Sequence, residues 1–277
     1  MNDSAIPTQN PGSAIGEAMG ASMEAAINEF LAPLAQDQNA RLLTKGPVSA
    51  ITGRPTKLIM YDNFATKYSI DGVIVNEENQ PLILLESKYI RYKKHNRDKG
   101  SWVCHAHGQI RLRYSSVRSS IAVLAGNWSV TSLKMMSTNN INLFVIPFDH
   151  IATVLAQRGI DFNWGEKDRH LAVIAWNKYS ALSEEEKARI GRQMIEPIKS
   201  SLAQLVELTL RDDVPRAIAK VAVEIYSNLG ETKRFEFDSR EAALSFLEDF
   251  TLAEMLDHSS SYTIFDLPVP DPTDDAV

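Results

Sequence analysis

A single cysteine in 277 residues rules out an internal disulfide, so the fold must rest on packing, and a reducing compartment suits it. No stretch approaches the roughly 18 uninterrupted apolar residues of a membrane span. Met1 to Ser13 is polar and proline-containing, without the basic start and apolar run of a signal peptide, so a cytoplasmic protein with no membrane partner is expected. There is no internal repeat and no glycine-rich phosphate loop. What remains is an ordinary globular composition, 44% hydrophobic and 23% charged with a net charge of −6, enough for one large domain or two small ones.

Against that background one segment is unusual. Ser69 to Val75 and Pro81 to Tyr89 are rich in Val, Ile and Leu and flank the polar, turn-forming Asn76 to Gln80, which predicts a β-hairpin. Alternation along the second strand puts Leu82, Leu84, Glu86 and Lys88 on one face. If Asn76 pairs with Pro81, the same register sets Asp71 directly opposite Glu86, with Cβ atoms roughly 4.5–5.5 Å apart. A Glu-x-Lys pair on a strand is usually a solvated ion pair of little energetic weight. Here the flanking residues are apolar on both sides, and buried charges require a partner or a metal. Two facing carboxylates form an oxygen-rich site suited to Mg²⁺, and a cation beside them is expected to lower the pKa of Lys88 or let it orient a water.

Asp71, fourteen intervening residues, and Glu86-Ser87-Lys88 resemble the active-site signature of the PD-(D/E)XK nuclease superfamily, with Ile70 where many members carry proline. The resemblance covers residues 57 to about 148 well and the rest loosely. It implies a restriction-endonuclease-like mixed β-sheet flanked by helices. It implies that Asp71, Glu86 and Lys88 are catalytic and that Asp71, Glu86 and the Ser87 backbone carbonyl hold Mg²⁺. The first helix of the superfamily often adds an acid; Glu24 and Glu29 are the candidates. The implied activity is that of a type II restriction endonuclease, cutting double-stranded DNA at a specific sequence to leave 5′-phosphate and 3′-hydroxyl ends, as a homodimer. A repair or recombination nuclease that reads DNA structure is the alternative, and a non-catalytic DNA-binding protein on the same fold is a third.

Charge supports nucleic acid by a separate route. Residues 87 to 118 carry nine Lys or Arg against one acid, Asp98, so the rest of the chain sums to −14. Positive charge concentrated beside the hairpin is what a phosphate backbone would meet. Lys93, Lys94, Arg97, Gln109, Arg111 and Arg113 are the expected DNA-binding residues. The spacing of Val103, Ala106, Ile110, Tyr114, Val117 and Ile121 predicts a helix over 101–121, with Trp102, Gln109 and Arg113 on one flank and His107, Arg111 and Arg118 on the other. Some relatives place a Gln-x-x-x-Tyr motif on this helix; Gln109 and Tyr114 are one residue too far apart to match it. Cys104, His105 and His107 are too poorly spaced on a helix to make a ligand cluster.

The remaining elements follow an α/β order. Expected are a helix over 14–35, a strand at 57–61, strands at 121–125 and 141–147, and a helix from Ile151 to Arg158. A helix capped by Ser183 should run to about Thr209, and a hairpin of 216–226 with 232–237 should precede a helix capped by Asp238. One domain over 14–265 is expected, with a motif core at 57–148, an elaboration at 181–265, and flexible tails at 1–13 and 266–277.

Overall fold

Burial sorts the helices onto two faces of one sheet. In the computed structural model, which describes residues 10–92, 96–165 and 167–257, the first helix α1 (Pro11–Asp37) opens with proline at a position where its missing N–H costs nothing. Asn10 caps it by accepting from the Ser13 amide at 3.2 Å. Ile15, Met19, Met23, Ile27, Leu31 and Ala35 recur along one face and are buried. The expected N-terminal tail is therefore helical from Pro11; residues 1–9 and the expected tail at 266–277 lie outside the described residues.

Strands β1 (Arg41–Leu43), β2 (Ile59–Tyr61), β3 (Lys67–Ser69), β4 (Gly72–Val75) and β5 (Pro81–Ile90) lead to helix α2 (Asn96–Arg113) and strand β6 (Ser119–Gly126). Helix α3 (Val130–Thr138), strand β7 (Asn142–Pro147) and helix α4 (Phe148–Ala156) follow. The main sheet is mixed, five-stranded and ordered β1-β4-β5-β6-β7; β2 and β3 form a separate pair. β4 is antiparallel to β1 and β5, whereas β5, β6 and β7 run parallel. Parallel neighbours require crossovers, and α2 and α3 supply them.

One sheet face, with Leu84, Ala122 and Leu124, is covered by Val103, Ala106 and Ile110 of α2 and Met136 of α3. The other, with Ile83, Leu85, Ile121 and Val123, packs against α1, α4, α5 (Arg169–Ser180), α6 (Glu184–Ile195) and α7 (Lys199–Leu210). Coverage of both faces explains why β5 and β6 read as nearly continuous apolar runs. Gly191 of α6 meets α1 so closely that a Cβ there would stand 2.2 Å from the Ser22 carbonyl oxygen.

Several boundaries depart from expectation. The helix expected over 101–121 starts at Asn96 and stops at Arg113, because the chain turns at 115–116 and enters β6. Tyr114 and Val117 are buried or half-buried beyond the helix, and Ile121 belongs to the strand, so the apolar spacing ran across two elements. Ser183 does cap α6, accepting from the Glu186 amide at 3.2 Å. Pro197 then breaks the expected long helix into α6, a short 3-10 turn at Glu196–Ile198, and α7, since proline lacks the N–H that continuation needs.

By compactness the described chain separates into two units, up to Arg211 and from Asp212 onward. The proposed elaboration at 181–265 is split between them: α6 and α7 bury Ile190, Met194, Leu202 and Val206 in the first unit's core. The second unit pairs β8 (Val221–Tyr226) with β9 (Thr232–Phe237) and adds α8 (Arg240–Asp249) and α9 (Leu252–Leu256). It has its own aromatic cluster of Phe235, Phe237, Phe246 and Phe250. Its helix is capped by Ser239, which accepts from the Ala242 amide, and not by Asp238. Among the described residues no helix is long and apolar enough to cross a membrane.

Candidate active site

The hairpin register decides which side chains meet. Gly72 pairs with Leu85, Val73 with Leu84 and Ile74 with Ile83, and one further step sets Asp71 opposite Glu86. The closing pair differs from expectation: Val75, not Asn76, pairs with Pro81, through an irregularity between Ile74 and Val75. The turn itself demands this. Asn76 donates its amide to the Gln80 carbonyl at 3.0 Å and accepts the Gln80 amide on its side chain at 2.7 Å, with Asn79 in the left-handed region at φ 64°.

Asp71 and Glu86 are held differently. Asp71 Oδ2 accepts from the Ser87 amide at 2.9 Å, the Ser87 hydroxyl at 3.3 Å and Lys88 Nζ at 3.1 Å. Lys88 Nζ also donates to Glu86 Oε1, so one ammonium bridges both carboxylates. The Glu86 side chain is only 1% exposed, against 28% for Asp71 and 25% for Lys88. Its second oxygen, Oε2, is buried and makes no hydrogen bond within the protein, an expensive condition for a carboxylate. Burial pulls the Lys88 pKa down, but the charges of Glu86 and then Asp71 outweigh it and hold Lys88 above its ordinary value. In this arrangement Lys88 is an ammonium donor to both carboxylates; the lowering expected from the sequence belongs to the metal-bound site.

Helix α1 brings Glu24 to the same place. Glu24 and Asn28 line a small crevice together with Asp71, Glu86 and Ser87. Burial raises the Glu24 pKa, the negative charge of Asp71 adds to it, Lys88 opposes it, and Glu86 raises it further. The other candidate acid, Glu29, is exposed and pairs with Arg192 at 3.2 Å on the opposite part of the helix surface.

His107, which spacing places on a flank of the helix with Arg111 and Arg118, is fully buried, with Nε2 3.8 Å from Glu86 Oε2, and neither ring nitrogen finds a hydrogen-bond partner among the described residues. The available signal was its four-residue spacing from Val103, which lies on the core side of α2. Trp102 lies 5.9 Å below Lys88 Nζ.

The expected DNA contacts divide sharply. Lys93 and Lys94 lie outside the described residues. Arg97 is exposed in the first turn of α2, and Gln109 is half-buried further along it. Arg113 donates to the Asp62 carbonyl at 2.8 Å, and Arg111 reaches the Asn140 carbonyl at 3.5 Å. Arg118 donates to the Thr209 and Leu210 carbonyls at the end of α7, and Arg91 is buried. Part of the basic segment therefore fastens the fold.

Among the described residues, no cluster of three or more His, Cys, Asp or Glu side chains is gathered for a metal ion. Mg²⁺ does not demand one: it keeps several waters and takes one or two carboxylates. The hard oxygens of Asp71 and Glu86, with the unsatisfied Glu86 Oε2 among them, fit that preference.

No family model matches the chain, and no curated protein matches it. A solved crystal structure of a protein of unknown function, AF1548, aligns with 68% of this chain and 96% of its own at 12% identity, with a TM-score of 0.31. A similarity that low carries no weight for fold or function.

Proposed function

We propose that this chain is a Mg²⁺-dependent nuclease with a restriction-endonuclease-like core, hydrolysing phosphodiester bonds of double-stranded DNA. The observation that carries the reading is the convergence of Asp71, just before β4, Glu86 and Lys88 of the central strand β5, and Glu24 of α1 within a sheet otherwise filled by apolar residues. Such a density of ionisable groups costs stability wherever it lacks a task.

Asp71, Glu86 and the Ser87 carbonyl, with Glu24 beside them, would hold Mg²⁺, which supplies charge stabilisation at the scissile phosphate and a more acidic water. The chain's own contribution is positioning. The Ser87 amide fixes the Asp71 carboxylate, and burial fixes Glu86. Lys88, kept protonated by its two carboxylates, can donate a hydrogen bond to an attacking water or to a phosphate oxygen where negative charge develops. In-line attack of water on phosphorus, breaking the P–O3′ bond so that the 3′ oxygen leaves and takes up a proton, would give the 5′-phosphate and 3′-hydroxyl ends that the resemblance implies. Recognition of a specific sequence by a homodimer is the corresponding form of the activity, since two-fold protein symmetry matches a palindrome.

Incubating supercoiled plasmid with the full chain and Mg²⁺ tests this reading. Discrete fragments support sequence-specific cutting, a smear supports a nuclease that reads structure, and intact plasmid with DNA bound leaves the binding-protein alternative.

A further inference from the structure

Beside the carboxylates, on the α1 face of β5, lies a cavity of about 630 Å³. That is within the range of small-molecule sites, roughly 300–1,000 Å³. Tyr89 and Tyr92, with part of the mostly buried Trp164, contribute aromatic surface to it, and Gly16 and Gly20 present bare α1 backbone alongside the side chains of Ser13 and Glu17. A Cβ at Gly16 would stand 3.4 Å from the Tyr89 ring. Gly16, Gly20 and Glu24 are four residues apart in turn, so the cavity and the carboxylate site occupy successive turns of one helix face.

The electrostatics of this cavity favour an anion. Arg91, Lys99 and Arg169 line it against one acid, Glu17, and none of the three cations is in an ion pair with a carboxylate among the described residues. Asn10, Pro11, Gly12 and Ser13 place the N-terminus of the 27-residue α1 at the same wall, where the helix dipole adds partial positive charge.

Arg91 supplies an observation independent of that helix end. It is 93% buried, donates to the Phe162 carbonyl at 2.7 Å and the Trp164 carbonyl at 2.9 Å, and stacks 3.5 Å from the centre of the Trp164 ring. Among the described residues its Nη1 has no partner, and neither does the buried indole Nε1 of Trp164. A buried guanidinium held only by neutral groups keeps its full positive charge directed at its surroundings.

We infer that this cavity binds an unpaired nucleotide, with its phosphate toward Arg91, Arg169 and the start of α1 and its base against Tyr89 and Tyr92. Aromatic faces take any base by stacking, and a base still in a duplex cannot enter such a pocket. The inference rests on the nucleic-acid reading above and deepens it: the same enzyme would hold a nucleotide outside the duplex next to the bond it cuts. The nucleotide can come from a single-stranded end of the substrate or from free solution.

Isothermal titration of the full chain in EDTA separates these sources. The probes are deoxyadenosine 5′-monophosphate, deoxyadenosine, inorganic phosphate, and duplexes with either a blunt end or a phosphorylated three-nucleotide 5′ overhang. The variants are Arg169→Ala, at an exposed position, and Gly16→Leu, which fills the cavity. Binding of the monophosphate, weakened at least tenfold in both variants, supports a free-nucleotide site. Tighter binding of the overhang duplex than of the blunt one, lost in both variants, supports a strand-end site. If Gly16→Leu fails to fold, Arg169→Ala alone decides. Absence of both effects, no response to Arg169→Ala, or inorganic phosphate binding as tightly as the nucleotide overturns the inference. Because no turnover is needed, intact plasmid with nucleotide bound defeats the nuclease reading alone, whereas cut plasmid with no nucleotide bound defeats the pocket alone.

Discussion

Lys88 and Arg91 sit three residues apart near the end of β5, and the protein compensates their charges in opposite ways. Lys88 is clamped by Asp71 and Glu86, so its charge is spent locally on carboxylates. Arg91 is held by two backbone carbonyls and by the rings of Trp164, Phe162, Phe148 and Tyr92, with no carboxylate paired to it among the described residues. Carbonyls and ring faces satisfy donors without cancelling charge, and cation–π contacts strengthen as water is excluded. The first region is thus arranged for chemistry and exchange of partners, and the second for rigidity with a persistent positive potential.

The sharpest way to break this contrast is to remove the carboxylate clamp. Asp71→Ala and Glu86→Ala are expected to abolish Mg²⁺-dependent plasmid cleavage, and EDTA to do the same to the wild type. Lys88→Ala should slow cleavage by roughly 10²–10⁴-fold, the range for a positioned proton donor or acceptor. Circular dichroism should show all three folded. A Lys88→Ala enzyme cutting at the wild-type rate would remove that residue from the reaction.

Arg91→Met tests the other region, and its effect should appear in stability. It leaves the Phe162 and Trp164 carbonyls without their donor, each such charge-assisted bond contributing about 1.5–3 kcal/mol. Urea denaturation should therefore show a loss of about 3 kcal/mol or more. An unchanged midpoint would mean that the aromatic cage holds itself together.

Gly126 joins the two regions, because it pairs with Ile90 at the end of β6. Its φ is 96°, and a Cβ would stand 1.9 Å from the Ile90 carbonyl oxygen. Gly126→Ala should cost about 1–3 kcal/mol from backbone strain and clash, seen as a lower melting temperature.

Arg113→Lys should have the smallest effect. Its Nη1 bond to the Asp62 carbonyl joins α2 to the turn after β2, so about 1 kcal/mol of stability is at stake with specific activity retained. Loss of cleavage at unchanged melting temperature would instead restore Arg113 to the DNA contact expected from the sequence.

Much of the first region was readable because strand alternation and pairing are local rules. The apolar arms around Asn76 to Gln80 were enough to bring Asp71, Glu86 and Lys88 together, although the turn closes one residue away from its expected place. Glu24 could be named only through the resemblance, since a Glu on a helix gives no sign of which distant strand it faces. The second region was hidden altogether. Arg91 and Arg118 counted only toward the positive charge of residues 87–118, yet each is fixed by residues more than seventy positions away, which no local pattern encodes. His107 was placed on an outer flank of the helix because its buried neighbour, Glu86, belongs to another element that helical spacing does not reveal.

The irregularity between Ile74 and Val75 has a consequence for how this protein tolerates change in length. It lies between the turn and the carboxylates, and a bulge is where one strand can carry a residue its partner does not match. An insertion or deletion in residues 77–79 can therefore be absorbed before it reaches Gly72 and Leu85. Without that slack, a shift of one residue would turn the strand's alternate side chains to the wrong face. The loop at the hairpin tip is free to lengthen, shorten or diversify, while the spacing of the acidic pair behind it stays in step.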